Sequence, residues 1–74
     1  MSKSPTEALA EAIDIVGGLS ATARGHGIKP QAVGQWEICP ATRVLKMEEL
    51  TGGKVSRHDL RPDLYGPSHA EVSS

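Results

Sequence analysis

The chain has no phenylalanine, one tryptophan and one tyrosine among its 74 residues. Trp36 is therefore the largest single piece of apolar surface available for burial. A chain this short holds one domain with a small core and a thin stability margin, which favours support from a partner subunit. Cysteine occurs once, at Cys39, so neither an intrachain disulfide nor a zinc site built from cysteines is available. The residue reads as a small side chain at the start of a helix in a reducing compartment, with a redox switch as the alternative. No apolar run approaches the roughly 20 residues of a membrane span, and no apolar signal core stands near Met1. The expectation is a soluble, cytoplasmic protein.

Positive charge is not in excess either. The formal net charge is −1, which as a sum counts against a nucleic-acid partner. Groupings for catalysis are also missing. His26, His58 and His69 are scattered, and no nucleophile stands with a base. Glu7 and Glu11 are spaced for a carboxylate pair but have no histidine or cysteine beside them, so they read as a solvated face. GGK at Gly52 to Lys54 is too short for a phosphate loop. No enzyme activity, cofactor or metal is expected.

The informative stretch is LSATARGHGIKPQAVGQWEI, from Leu19 to Ile38. Leu19 and Ala23 share one helical face. Gly25, His26 and Gly27 stop that helix, glycine supplying the left-handed conformation of a tight corner. Lys29-Pro30 opens a second helix, since proline is preorganised at the first helical position. The inward set is Ala23, Ile28, Val33 and Trp36, and the small Ala23 lets the second helix cross closely. The outward set is Lys29, Gln31, Ala32, Gly34 and Gln35. This is the helix-turn-helix pattern, and glutamine and lysine suit base edges in a major groove. A generic helical hairpin is the plainer alternative. Glycine inside a helix costs about 1 kcal/mol relative to alanine. Gly34 therefore marks either a close approach to DNA or a tolerated residue.

Along the rest of the chain, Met1 to Lys3 are expected to be loose. Ser4, Pro5 and Glu7 form a capping box that opens a helix. Leu9, Ala12, Ile13 and Val16 make its buried stripe, flanked by Ala8 and Ile15, and Gly17-Gly18 end it. Ser20 is expected to cap the next helix. Thr22 and Arg24 are expected to face outward, toward a DNA backbone. Pro40 starts a further helix with Val44, Leu45, Met47 and Leu50 inward. Arg43 and Lys46 lie on its other side, with Arg43 placed for a phosphate. Ser56 and Asp59 form a second capping box, Leu60 and Leu64 pack back on the core with Tyr65 behind, and Pro62 limits the helix. The expected organisation is a flexible segment at 1–4, a domain at 5–65 and a disordered tail at 66–74.

Three pieces carry a family resemblance: ALAEAIDIVGG at Ala8 to Gly18, GIKPQAVGQW at Gly27 to Trp36, and PATRVLKMEELTGGKVSRHDLRPDLY from Pro40 to Tyr65. Together they resemble the small Cro-like repressors of phages and prophages, most closely the YdaS-like antitoxin group. The resemblance implies an all-α, lambda-repressor-like helix-turn-helix domain of about five helices. It implies operator binding, with a homodimer on a two-fold symmetric site of double-stranded DNA and a recognition helix near 29–37. Carried over by position, base contacts fall to Lys29, Gln31, Gly34 (by backbone approach) and Gln35. Phosphate contacts fall to Ser20, Thr22, Arg24 and Arg43, with Lys46 joining them. Gly34 departs from the serine or other polar residue common among relatives. Glu37-Ile38-Cys39 departs from their glycine-containing or basic turn. Some Cro relatives close with a β-hairpin, whereas LRPDLY and the capped helix before it argue for helices here. The alternative function is an antitoxin or interaction module that binds a toxin or another regulator.

Overall fold

The computed structural model describes residues 4–66, and among them every regular element is a helix. The expectations for 1–3 and for 67–74, His69 included, fall outside the described residues. α1 spans Pro5–Val16. Its capping box is formed as the sequence predicts: the Glu7 N–H donates to Ser4 Oγ at 3.1 Å, and the Ser4 N–H donates to Glu7 Oε1 at 2.9 Å. Gly17, at φ 119°, ends α1 in a conformation that side chains rarely adopt.

α2 spans Leu19–His26 and α3 spans Pro30–Gly34. Gly27, at φ 71°, turns the corner between them, and the Ile28 N–H donates to the Ala23 carbonyl at 2.9 Å. Together these close the α2 terminus. A single 3-10 turn, Ala41–Arg43, leads into α4, Val44–Leu50. α5 spans Arg57–Leu60 behind its own capping box of Ser56 and Asp59, and α6 spans Pro62–Tyr65. Pro62 has no N–H and excludes a helical Arg61, so the chain breaks at Arg61 and restarts. Six α-helices thus stand among the described residues where about five were expected.

The core gathers Ala8, Leu9 and Ala12 of α1, Cys39, Val44 and Met47 of α4, Val55 and Leu60, with Ile13, Val16, Trp36 and Tyr65 packed against it. Val55, which has no periodic partner in the sequence, is fully buried. Its N–H donates to Thr51 Oγ1 at 3.2 Å, and the same hydroxyl donates to the Glu48 carbonyl at 2.9 Å. Several expectations are corrected. Leu45 and Leu64 are each 51% exposed rather than inward. On α4, Val44 and Met47 take the buried face three residues apart, and Leu45 is rotated roughly 100° away from Val44. Ser20 is not the cap of α2. Gly18 holds that position, and Ser20 lies exposed within the helix. His26 is the last residue of α2 rather than part of the turn. No helix among the described residues is long and apolar enough to cross a membrane.

Candidate nucleic-acid interface

A five-residue helix has little stability of its own, so α3 depends on what seats it. Val33 is its one buried residue, and α2, which packs against α3, buries Thr22 and Ala23. Lys29, Gln31, Gly34 and Gln35 are all exposed, as the periodicity requires, while Ala32 is half-buried. Lys29 is the extended residue before the helix, Pro30 is its first helical residue, and Gln35 closes it. Trp36 lies beyond the helix, so the helical part of the stretch expected at 29–37 is Pro30–Gly34.

Trp36 turns back to meet the end of α2. Its ring packs edge-on against His26, with centroids 5.5 Å apart and planes at 81°. Both His26 ring nitrogens are buried without a hydrogen-bond partner. Burial, then the nearby cations of Arg43 and Lys46, hold this imidazole below its ordinary pKa. Arg43 Nη1 reaches the His26 carbonyl at 3.4 Å, which places a guanidinium at the carbonyl end of α2, where a cation is favoured. Arg43 therefore ties α4 to the helix-turn-helix as well as presenting charge.

Among the expected phosphate contacts, Ser20, Arg24 and Lys46 are exposed and Arg43 is half-buried. Thr22 is a correction. It is fully buried, its hydroxyl donates to the Gly18 carbonyl at 2.8 Å, and it has no surface to offer a phosphate. Lys46 lies 3.5 Å from Glu49. The other ion pairs join Arg57 to Glu48 at 3.0 Å and Arg61 to Asp63 at 2.8 Å. Arg24 and Lys29 enter none of the ion pairs among the described residues. Among the described residues, the cations outside these ion pairs are Arg24 on α2, Lys29 at the start of α3, Arg43 just before α4, and Lys54.

Cys39 is buried in the core, and burial pushes its thiol up to about 11. That matches a small core residue. Among the described residues, no group of three or more histidine, cysteine, aspartate or glutamate side chains is placed to hold a metal ion. A shallow apolar groove of about 410 Å³ lies between α1 and Trp36, lined by Thr6, Leu9, Ala10, Ile13, Trp36 and Glu37. Sequence reasoning did not find this groove, because it joins residues 30 positions apart that no local pattern connects.

A close-set pair of helices, a glycine corner and an outward polar face on the second helix define a Cro-like helix-turn-helix domain. Comparison with known proteins agrees. The family model described as "Bacterial toxin YdaS" matches residues 9–69, and the chain belongs to this YdaS family. YdaS of Escherichia coli (strain K12), named as a candidate transcriptional regulator, is 41% identical over 58 residues. That match covers 73% of this chain and 59% of the Escherichia coli protein, so the chain spans about three-fifths of its relative's length. Among solved structures, the Cro protein from the prophage element Xfaso 1 of Xylella fastidiosa strain Ann-1 is similar at a TM-score of 0.75 and 35% identity. The similarity covers 80% of this chain and 95% of that one.

Proposed function

We propose that the chain is a sequence-specific DNA-binding transcriptional regulator that occupies an operator as a dimer, with α3 in the major groove. The observation that carries this is the exposure of Lys29, Gln31 and Gln35 on and beside a helix that packs against α2 and buries Val33. Glutamine pairs bidentately with adenine and lysine with guanine, and these contacts discriminate sequence. Gly34 adds no side chain and contributes by letting the backbone approach. Ser20, Arg24, Arg43 and Lys46 supply phosphate contacts, which give affinity and register without reading sequence. Repression is steric, by occupancy of a promoter. The test is fluorescence anisotropy on the duplex upstream of the gene against a scrambled duplex of equal length, at two salt concentrations. Tight binding to the native duplex alone, weakened by salt, is expected. Equal or absent binding to both duplexes overturns the reading.

A second reading, a module in a toxin–antitoxin pair that binds a protein partner, is favoured by the apolar groove between α1 and Trp36, whose lining includes none of Lys29, Gln31 and Gln35. Co-purification with the product of a neighbouring small gene, lost on Ile13→Glu, supports it. Intact co-purification by that variant removes the groove from the account.

A further inference from the structure

Two neighbouring residues on the reading face are not explained by the fold. Gly34 is the last residue of α3, and its φ lies outside the left-handed region. A Cβ built on it meets only Leu19 Cδ1, at 3.8 Å, which is ordinary contact. Neither backbone nor packing requires glycine here, and glycine in a helix is less stable than alanine. Leu19 opens α2 and leaves 45% of its surface exposed. An apolar side chain thus overhangs a position that has none. Gln31 and Gly34 are three residues apart and share a face of α3. The leucine and the bare backbone therefore continue the polar reading surface, with Arg24 and Lys29 exposed on the same two helices.

We propose that Leu19 and Gly34 form an apolar contact site for the duplex. The absence of a side chain at Gly34 admits the DNA edge to the α3 backbone, and Leu19 closes against an apolar group of the nucleic acid. Duplex DNA offers two such groups. The C5 methyl of thymine projects into the major groove and depends on sequence, whereas the deoxyribose carbons are present at every nucleotide. This site rests on the DNA-binding reading and extends it from polar to apolar recognition. An apolar contact releases no counterion, so it changes affinity without changing the salt dependence.

The test begins with the full chain selecting duplexes from a random library. Anisotropy is then measured on the selected duplex and on the same duplex with deoxyuridine for thymidine. Leu19→Ala is expected to weaken binding by about tenfold at every salt concentration, the order of a lost buried leucine contact, with an unchanged slope against log salt. Leu19→Met, which keeps an apolar chain, retains most of the affinity. Gly34→Ala is expected to raise the thermal midpoint and to lower affinity, opposite signs that a merely structural residue does not give. Loss of the Leu19 effect on the deoxyuridine duplex assigns the methyl group, and its persistence assigns the sugar. Parent-like binding by Leu19→Ala, or a salt slope that changes as it does for a lost cation, overturns the proposal and leaves the DNA-binding reading intact. If the parent chain enriches no duplex, both fall together.

Discussion

Val33→Ala isolates what holds α3 in place. α3 has five residues, no side-chain cap at Lys29 and one buried side chain, Val33, 1% exposed. The substitution deletes two buried carbon groups at about 0.8 kcal/mol each, and a residual cavity adds to this, for a total of about 2 kcal/mol. For a domain of this size each kcal/mol moves the midpoint by about 4–8 °C, so a fall of about 8–16 °C is expected in thermal unfolding followed by circular dichroism. A total stability of about 5 kcal/mol leaves most molecules folded at room temperature, so binding remains measurable. If the loss is local to α3, only the seated fraction binds, and DNA affinity drops by at most about 30-fold, the equivalent of that 2 kcal/mol. Amide exchange at Val33 and Gly34 accelerates before exchange at Met47. A midpoint lowered by less than about 4 °C with unchanged affinity refutes the reasoning, because α3 is then held by something other than its one buried side chain. An affinity loss without a midpoint loss refutes it differently, by making Val33 a DNA contact.

Gln31→Ala and Gln35→Ala are expected to relax base preference, each by the roughly 1–3 kcal/mol of a bidentate pair. Arg24→Ala weakens binding to all duplexes alike and lowers the salt slope by about one, and anisotropy titrations separate the two behaviours. Ser4→Ala removes the acceptor of the Glu7 N–H and costs about 1 kcal/mol in urea unfolding without touching DNA affinity. His26, held below its usual 6.5 by burial and by Arg43 and Lys46, is neutral when folded. Its contribution to stability is fully present above pH 6.5 and declines as pH falls through that value, because the unfolded chain takes up the proton first. Urea midpoints measured between pH 8 and 5 should show this decline, and His26→Phe should flatten it.

What was legible in the sequence was local chemistry. Ser4 with Glu7 and Ser56 with Asp59 sit at fixed capping offsets, Pro30 opens a helix and Gly27 takes the corner, so each boundary is written within four residues. The candidate face on α3 followed because Val33 fixes the phase of a short helix and the exposed residues fall opposite it. Residue type alone is a poor guide to exposure in this chain. Thr22 is polar but buried, because a hydroxyl in a helix can satisfy itself on the carbonyl four residues back. Leu45 and Leu64 are apolar but exposed: α4 turns Val44 and Met47 inward and Leu45 away, and α6 buries none of its residues. Val55 and the His26–Trp36 contact depend on tertiary neighbours, and a single chain of letters carries no signal for them.

The near-neutral composition is compatible with a DNA partner once charge is assigned to place. From Leu19 to Lys46 the chain carries four cations, Arg24, Lys29, Arg43 and Lys46, against one carboxylate, Glu37. Among the described residues the other acids collect elsewhere: Glu7, Glu11 and Asp14 on α1, and Glu48, Glu49, Asp59 and Asp63 from α4 to α6. The latter group already engages its neighbours. Glu48 holds Arg57, Asp63 holds Arg61 and Asp59 caps α5. Exposed charges more than about 8–10 Å apart are largely screened at physiological salt, so the potential at α2 and α3 depends most on the charges close to them. The field a phosphate meets is set by the local balance, which is positive. The same partition predicts modest non-specific affinity and a shallow salt slope for one subunit, since among the described residues the exposed cations outside the ion pairs are Arg24, Lys29 and Lys54. Tight occupancy of an operator then requires either two subunits on one site or substantial base-edge and apolar contacts, and α3 with Leu19 is where the chain supplies the latter.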